Sequence, residues 1–188
     1  MARGAQKPGV AICLFRGINV GGNYPVRMSE LCELFGALGF GRAQSYIQSG
    51  NVVFEAVERD MRALERRIAG AFREAWTYDI GVMVRSLEDW RRAVAKNPFK
   101  AEAKDGTKLS LAFLASAPSK ERLALLDDVA TNGEQWRCDG THLYLSLPNG
   151  TGRSKLPGSI ERLLKIPATL RNWNTVQKLL EIAEALAT

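Results

Sequence analysis

Apolar residues fill every position from Val10 to Phe15, the pattern of a central strand covered on both faces rather than one with a wet side. A glycine loop, Arg16 to Asn23, follows it. Met28, Leu31, Leu34, Phe35 and Leu38 then recur at helical spacing, and Gly39 supplies the stop expected just past a helix C-terminus. Tyr46-Ile47-Gln48 and Val52-Val53-Phe54 flank the turn-prone trio Ser49-Gly50-Asn51 and predict a hairpin. Over residues 60–75, at about 100° per residue, Met61, Leu64, Ile68, Phe72 and Ala75 share one face while Arg59, Arg62, Arg66 and Arg73 fall opposite. Ile80 to Val84 reads as a closing strand. The order β-α-β-β-α-β over residues 10–85 is the ferredoxin-like split βαβ plan, two helices on one face of a four-stranded antiparallel sheet.

The second half starts the same way. Residues 87–95 read as a connecting helix ended by Asn97-Pro98, and the polar stretch 100–107 marks a subdomain boundary. Leu109 to Ala115 reads as a strand, Ser119 to Ala130 as a helix, and Gln135 to Cys138 with His142 to Leu147 as a hairpin turning at Asp139-Gly140. The β-α-β-β order suggests a duplicated topology without a residue-level repeat. It departs afterwards, because residues 158–165 and 172–187 both look helical where a fourth strand would be expected. The expected fold is therefore α+β with two small subdomains: residues 1–98, ferredoxin-like with the connecting helix, and residues 99–188, a β-α-β-β unit completed by C-terminal helices.

Composition narrows the function classes. Of 188 residues, 46% are hydrophobic and 24% charged, the profile of an ordinary globular protein rather than a disordered or low-complexity one. One histidine and three scattered cysteines disfavour metal sites built on clustered ligands, and no cofactor or metal is expected. Cys13, Cys32 and Cys138 form no C-x-x-C pair, which argues against a disulfide framework and for a reducing compartment, the cytoplasm. Arg3 and Lys7 precede the first apolar run, but Arg16 interrupts that run and no small-residue cleavage site follows. No stretch approaches the roughly 20 apolar residues of a membrane span, so no membrane partner is expected. The formal charge of +6 and pI of 9.4 suit contact with phosphates, with a merely soluble cationic protein as the alternative.

Three polar clusters could carry chemistry. In Arg16-Gly17-Ile18-Asn19-Val20-Gly21-Gly22-Asn23, glycines could turn backbone N–H groups toward an anion near a helix N-terminus, or simply serve a tight crossover with φ > 0. Neither common phosphate fingerprint is present. Pro148-Asn149-Gly150-Thr151-Gly152-Arg153-Ser154-Lys155-Leu156 holds the ingredients of a phosphate cradle, but equally those of a flexible loop ending in a solvated basic patch. Arg171-Asn172-Trp173-Asn174-Thr175 opens the C-terminal helix. There Trp173 reads as a core anchor, Asn172 and Asn174 as N-cap residues, and Arg171 has no such structural excuse. Residues 148–178 carry Arg153, Lys155, Arg162, Lys165, Arg171 and Lys178 against one acid, Glu161, which makes this segment the best anion-binding candidate. His142 reads as structural, on a strand with Leu143, Leu145 and Leu147 on its other face.

The motifs Leu14-Phe15-Arg16-Gly17-Ile18-Asn19-Val20-Gly21-Gly22, Tyr46-Ile47-Gln48-Ser49-Gly50-Asn51-Val52-Val53-Phe54, Ser154-Lys155-Leu156 and Arg171-Asn172-Trp173-Asn174-Thr175-Val176 together resemble the bacterial family catalogued as domain of unknown function 1697. The resemblance runs from about residue 10 to the C-terminus. It departs at Pro25-Val26-Arg27-Met28, where the family pattern would read Val-Pro-Met. It implies two α+β subdomains, the first ferredoxin-like, and no activity. Its signature positions are Arg16, Gly17, Asn19, Gly21, Gly22, Ser49, Gly50, Asn51, Ser154, Lys155, Arg171, Asn172, Trp173 and Asn174, mostly polar or glycine residues on loops.

These readings support one leading expectation, a cytoplasmic binding protein for a phosphate-bearing small molecule or nucleic acid. Its ligand-binding residues would be Arg16, Asn19, Ser49, Asn51, Ser154, Lys155, Arg171 and Asn172, converging between the subdomains. Asn51-Val52-Val53-Phe54-Glu55 lacks the basic, multiply aromatic pattern of an RNA-recognition strand. The alternatives are a metal-independent enzyme with Ser49 or Ser154 as nucleophile and Lys155 as base, or a structural or partner-binding protein. No catalytic residue and no oligomeric state can be assigned.

Overall fold

The computed structural model describes residues 7–188, so Arg3 lies outside the described residues. The apolar run forms β1 (Gly9–Phe15), flanked by β3 (Asn51–Ala56) and β4 (Val82–Ser86), with β2 (Gly41–Tyr46) outside β3. The strand order is 2-3-1-4 and every neighbouring pair is antiparallel. Ile12, Cys13, Leu14 and Phe15 are wholly buried, as a run apolar at every position requires.

Helices α1 (Met28–Ala37) and α2 (Met61–Trp76) cover one face. Phe35 of α1 and Phe72 of α2 join Phe15 and Phe54 from the sheet, with ring centroids 5.0 Å apart for Phe15–Phe72 and 4.9 Å for Phe35–Phe54. Burying each such ring contributes about 1.5–3 kcal/mol, which selects this helix face over any other. Gly39, at φ +76°, ends α1 by letting the Phe40 N–H reach back to Phe35 O. The expected apolar face of α2 holds, with two exceptions: Ala75 is exposed and Glu65 is buried. Glu65 is inside because it serves the open edge of β4. Its Oε1 accepts from the Val84 N–H at 2.9 Å and from Arg85 at 3.4 Å, while Oε2 accepts from Arg62 at 2.9 Å. The hairpin turn also shifts: β2 ends at Tyr46, so Ile47 and Gln48 lie in the turn and Asn51 begins β3.

A second four-stranded antiparallel sheet contains β5 (Leu109–Leu114), β6 (Gln135–Asp139), β7 (His142–Ser146) and β8 (Ala168–Asn172), ordered 6-7-5-8. Helices α4 (Lys120–Ala124) and α5 (Leu156–Leu164) accompany it. The fourth strand corrects the expectation of helices alone after residue 158. Ala168-Thr169-Leu170-Arg171-Asn172 is short, borders Pro167 and carries a charge, so it offers no clean alternation. It is an edge strand, paired only to β5. The helix expected over Ser119–Ala130 is likewise only α4 followed by turns.

Helix α3 (Leu87–Ala95) follows β4 without a break, and α6 (Trp173–Ala187) follows β8 in the same way. The chain divides into two compact units, the first running to Arg91 and including Leu179–Thr188, the second spanning Arg92–Lys178. No helix of the described residues is long and apolar enough to cross a membrane.

Candidate functional site

In the first unit, the loop after β1 is a built finger. Arg16 donates its N–H to Gly81 O at 2.9 Å, and its exposed side chain runs past Gly81. Asn19, at φ +55°, is a clamp: its Oδ1 accepts from the Val26 N–H at 2.8 Å, and its Nδ2 donates to Val26 O at 2.9 Å and to Gln48 O at 2.8 Å. Beyond it, Val20 and Asn23 form a bridge across Gly21 and Gly22, whose φ values of +58° and +81° are the pair a type I′ turn needs. The Asn19 and Asn23 N–H groups close this miniature hairpin on Tyr24 O and Val20 O. The glycines thus serve the turn, and the finger carries exposed Val20 and Tyr24.

Gln48 links the finger to the β2–β3 turn. There Asn51 is wholly buried and donates to Tyr46 O at 3.1 Å and Ser49 Oγ at 2.9 Å. Asn19, Ser49 and Asn51 are therefore brought together by hydrogen bonds, with Arg16 at the root of the same loop. Both asparagine side chains hold backbone in place.

In the second unit, Pro148–Lys155 leads from β7 to α5. Gly150, at φ +80°, turns the chain into a short 3-10 segment, Thr151–Arg153. Ser154 Oγ accepts from the Leu156 N–H at 3.1 Å, which gives α5 its first hydrogen bond. Arg153 and Lys155 are exposed, and among the described residues neither side chain has a hydrogen bond or ion pair. The first turn of α5 contains no acid, so the partial positive charge of the helix N-terminus adds to theirs. Ser154 and Lys155 make no nucleophile–base contact.

Arg171 and Asn172 stand apart from that loop in secondary structure, at the end of β8. Arg171 is buried and curls back to Thr169 Oγ1 at 2.9 Å and Leu170 O at 2.8 Å. Asn172 Oδ1 accepts from the Thr175 N–H at 2.9 Å, the N-cap bond expected of it. Trp173 is buried, and Asn174 rests so close to Gly106 that a Cβ there would meet its Oδ1 at 2.0 Å. His142 is buried edge-on to Phe113. Buried Glu134, at the turn before β6, is the polar group that sequence reasoning passed over, because one acid beside Gly133 has no periodic or motif signal. Among the described residues, no group of three or more His, Cys, Asp or Glu side chains could hold a metal ion.

Against known proteins, the family model described as "Protein of unknown function (DUF1697)" matches residues 10–144. The first two motifs fall inside that range, and Ser154-Lys155-Leu156 and Arg171–Val176 lie beyond it. No curated protein matches. Among solved structures, the fold is similar to that of the conserved bacterial protein SP0830 from Streptococcus pneumoniae, with a TM-score of 0.70 and 23% identity over 94% of this chain and 99% of that one.

Proposed function

The chain belongs to the DUF1697 family, described only as proteins of unknown function, and from that premise we propose that it binds an anionic ligand, a phosphorylated small molecule or nucleic acid. The observation that carries this reading is the pair Arg153 and Lys155, uncompensated at the acid-free N-terminus of α5. Cations there oppose the helix dipole and cost the free protein stability, which a bound phosphate would return. Arg162, Lys165 and Lys178, all exposed, extend the positive field. Arg171 contributes support for its strand rather than a free guanidinium. The protein acts in the cytoplasm on this reading, in keeping with the absence of a disulfide at Cys13, Cys32 and Cys138 among the described residues.

The test is a thermal-shift screen with pyrophosphate, nucleotides, sugar phosphates and oligonucleotides, run on the wild type and on Arg153→Ala and Lys155→Ala. Binding to the native state raises the melting temperature by mass action. The reading expects a salt-sensitive rise that both variants lose. A rise retained in both would place the anion elsewhere.

One observation favours a second reading, a partner-binding protein: Val20, Tyr24 and Ile47 are 59%, 44% and 50% exposed on the finger and the turn it is bonded to. A Val20→Asp, Ile47→Asp double variant that loses a partner while keeping anion binding would support it.

A further inference from the structure

The second unit holds a cavity of about 520 Å³ where the turns after α4 meet the start of β6, lined by Asp127, Ala130, Glu134, Gln135, Trp136 and Arg137. Glu134 is only 9% exposed, and its Oε2 is shielded from solvent with no hydrogen-bond partner. No ion pair or hydrogen bond occupies its side chain among the described residues. Folded proteins pair or hydrogen-bond their buried carboxylates, so one left without a partner beside a cavity points to a group that arrives from outside. Arg137, the cation among the lining residues, donates one N–H to Trp136 O at 2.8 Å and makes no bond to Glu134 or Asp127. Trp136 in turn donates from Nε1 to Asp127 Oδ1 at 2.9 Å, which fixes a second, exposed carboxylate on the same wall.

We propose that this cavity binds a small organic cation carrying a primary ammonium, held by Glu134 and Asp127 beside the Trp136 ring. The chemistry of the lining selects that class. A primary ammonium has three N–H donors to share between two carboxylates, and an indole adds cation–π attraction. Two carboxylates fall short of the six or more oxygen ligands that calcium takes, and a quaternary ammonium has no N–H for either of them. The site involves none of the residues invoked for anion binding.

The test uses the full chain with n-butylammonium, putrescine, tetramethylammonium and magnesium chlorides at fixed pH and ionic strength, read by melting temperature and by Trp fluorescence. The two primary amines raise the wild-type melting temperature and tetramethylammonium does not. Glu134→Gln loses the rise, while its unliganded melting temperature equals or exceeds that of the wild type because an unpaired buried charge has been removed. The proposal is overturned if neither amine has an effect, if Glu134→Gln keeps the full rise, or if magnesium alone produces one. Should Glu134→Gln fail to fold, Asp127→Asn serves instead, since its amide oxygen still accepts from Trp136. It weakens the amine titration by at least about tenfold, the loss expected for a charge-assisted contact, and an unchanged midpoint contradicts the proposal.

Discussion

The two units run through the same elements in the same strand order, and they differ in where they spend extra residues. In each, the last residue of the central strand donates its N–H to the turn residue before the neighbouring strand, Phe15 to Gly50 O at 2.8 Å and Leu114 to Thr141 O at 2.9 Å. In each, the next-to-last residue of the final strand is a buried arginine that folds back on the preceding carbonyl, Arg85 onto Val84 O and Arg171 onto Leu170 O. The residue after it caps the following helix, with Ser86 Oγ accepting from the Asp89 N–H and Asn172 Oδ1 from the Thr175 N–H. A helix carboxylate also reaches the open edge of each sheet, Glu65 to the Val84 N–H and Glu161 to the Ala168 N–H. These shared devices are what the fold needs. The first unit expands the link after its first strand, residues 16–27 against 115–119. The second expands the links before its second strand, residues 125–134 against 38–40, and before its second helix, residues 147–155 against 57–60. The motif Arg16–Gly22 and the residues Ser154 and Lys155 fall in these expansions, outside the common frame.

The comparison can be broken at its edges first. Glu65→Ala leaves Arg85 buried with only part of its pairing and should cost about 3–5 kcal/mol in urea unfolding. Burial already pushes the Arg85 guanidinium below its ordinary value, and Glu65 and Asp89 only partly offset that. Glu161→Ala removes the carboxylate that serves the Ala168 edge N–H, without stranding a buried cation of Arg85's kind, and should cost less, about 1–3 kcal/mol. Equal losses would show that the two edges are not differently built. Next is Gly50, at φ +71°, where a Cβ would meet Ile18 and Phe15 atoms at 2.8 Å. Gly50→Ala should cost about 2–4 kcal/mol from the left-handed backbone and the overpacking together. Thr141→Ala, at the matching position, should change stability by no more than about 0.5 kcal/mol.

The caps come lower on the scale. Ser86→Ala and Asn172→Ala should each cost about 1 kcal/mol and match one another, a near equality that scanning calorimetry can check. The smallest effect is on pH. Bidentate hydrogen bonding from Arg42 and Arg91 holds the Glu55 and Glu184 carboxyls below the usual range, and bonds from Thr107 and Lys108 do the same for Asp105. A carboxyl lowered in the folded state gives stability that is present above its unfolded pKa of about 4 and lost as the pH falls through the folded value. The urea midpoint should therefore drop on going from neutral pH to pH ~3. Arg42→Ala and Arg91→Ala should flatten that drop, and an unchanged acid limb would count against these pairings.

The first unit could be read from sequence almost element by element, because its apolar run and the helix over 61–76 have strong periods. The β2–β3 turn starts earlier than the pattern predicts because Ile47, apolar and β-prone, sits at φ +49° in the turn. In the second unit β8 leaves no pattern in the sequence, since an edge strand of five residues containing Arg171 needs no alternation. The loops were visible as glycine-rich clusters, but their roles were not. Whether Asn19 binds a ligand or ties a finger to a turn depends on Val26 and Gln48, whose positions relative to it no local pattern specifies. Glu134 shows the same limit, because its isolation is set by what the fold fails to place beside it.

The measurement closest to the central claim maps backbone amide shifts while isotope-labelled protein is titrated with pyrophosphate. The first turn of α2 is the internal control, since Asp60 already accepts from its Arg62 N–H. Saturable shifts at Gly152 to Ser159, weakened by salt and absent from Asp60 to Leu64, are the predicted result. No shifts at Gly152 to Ser159, or equal shifts at both helix starts, would contradict it.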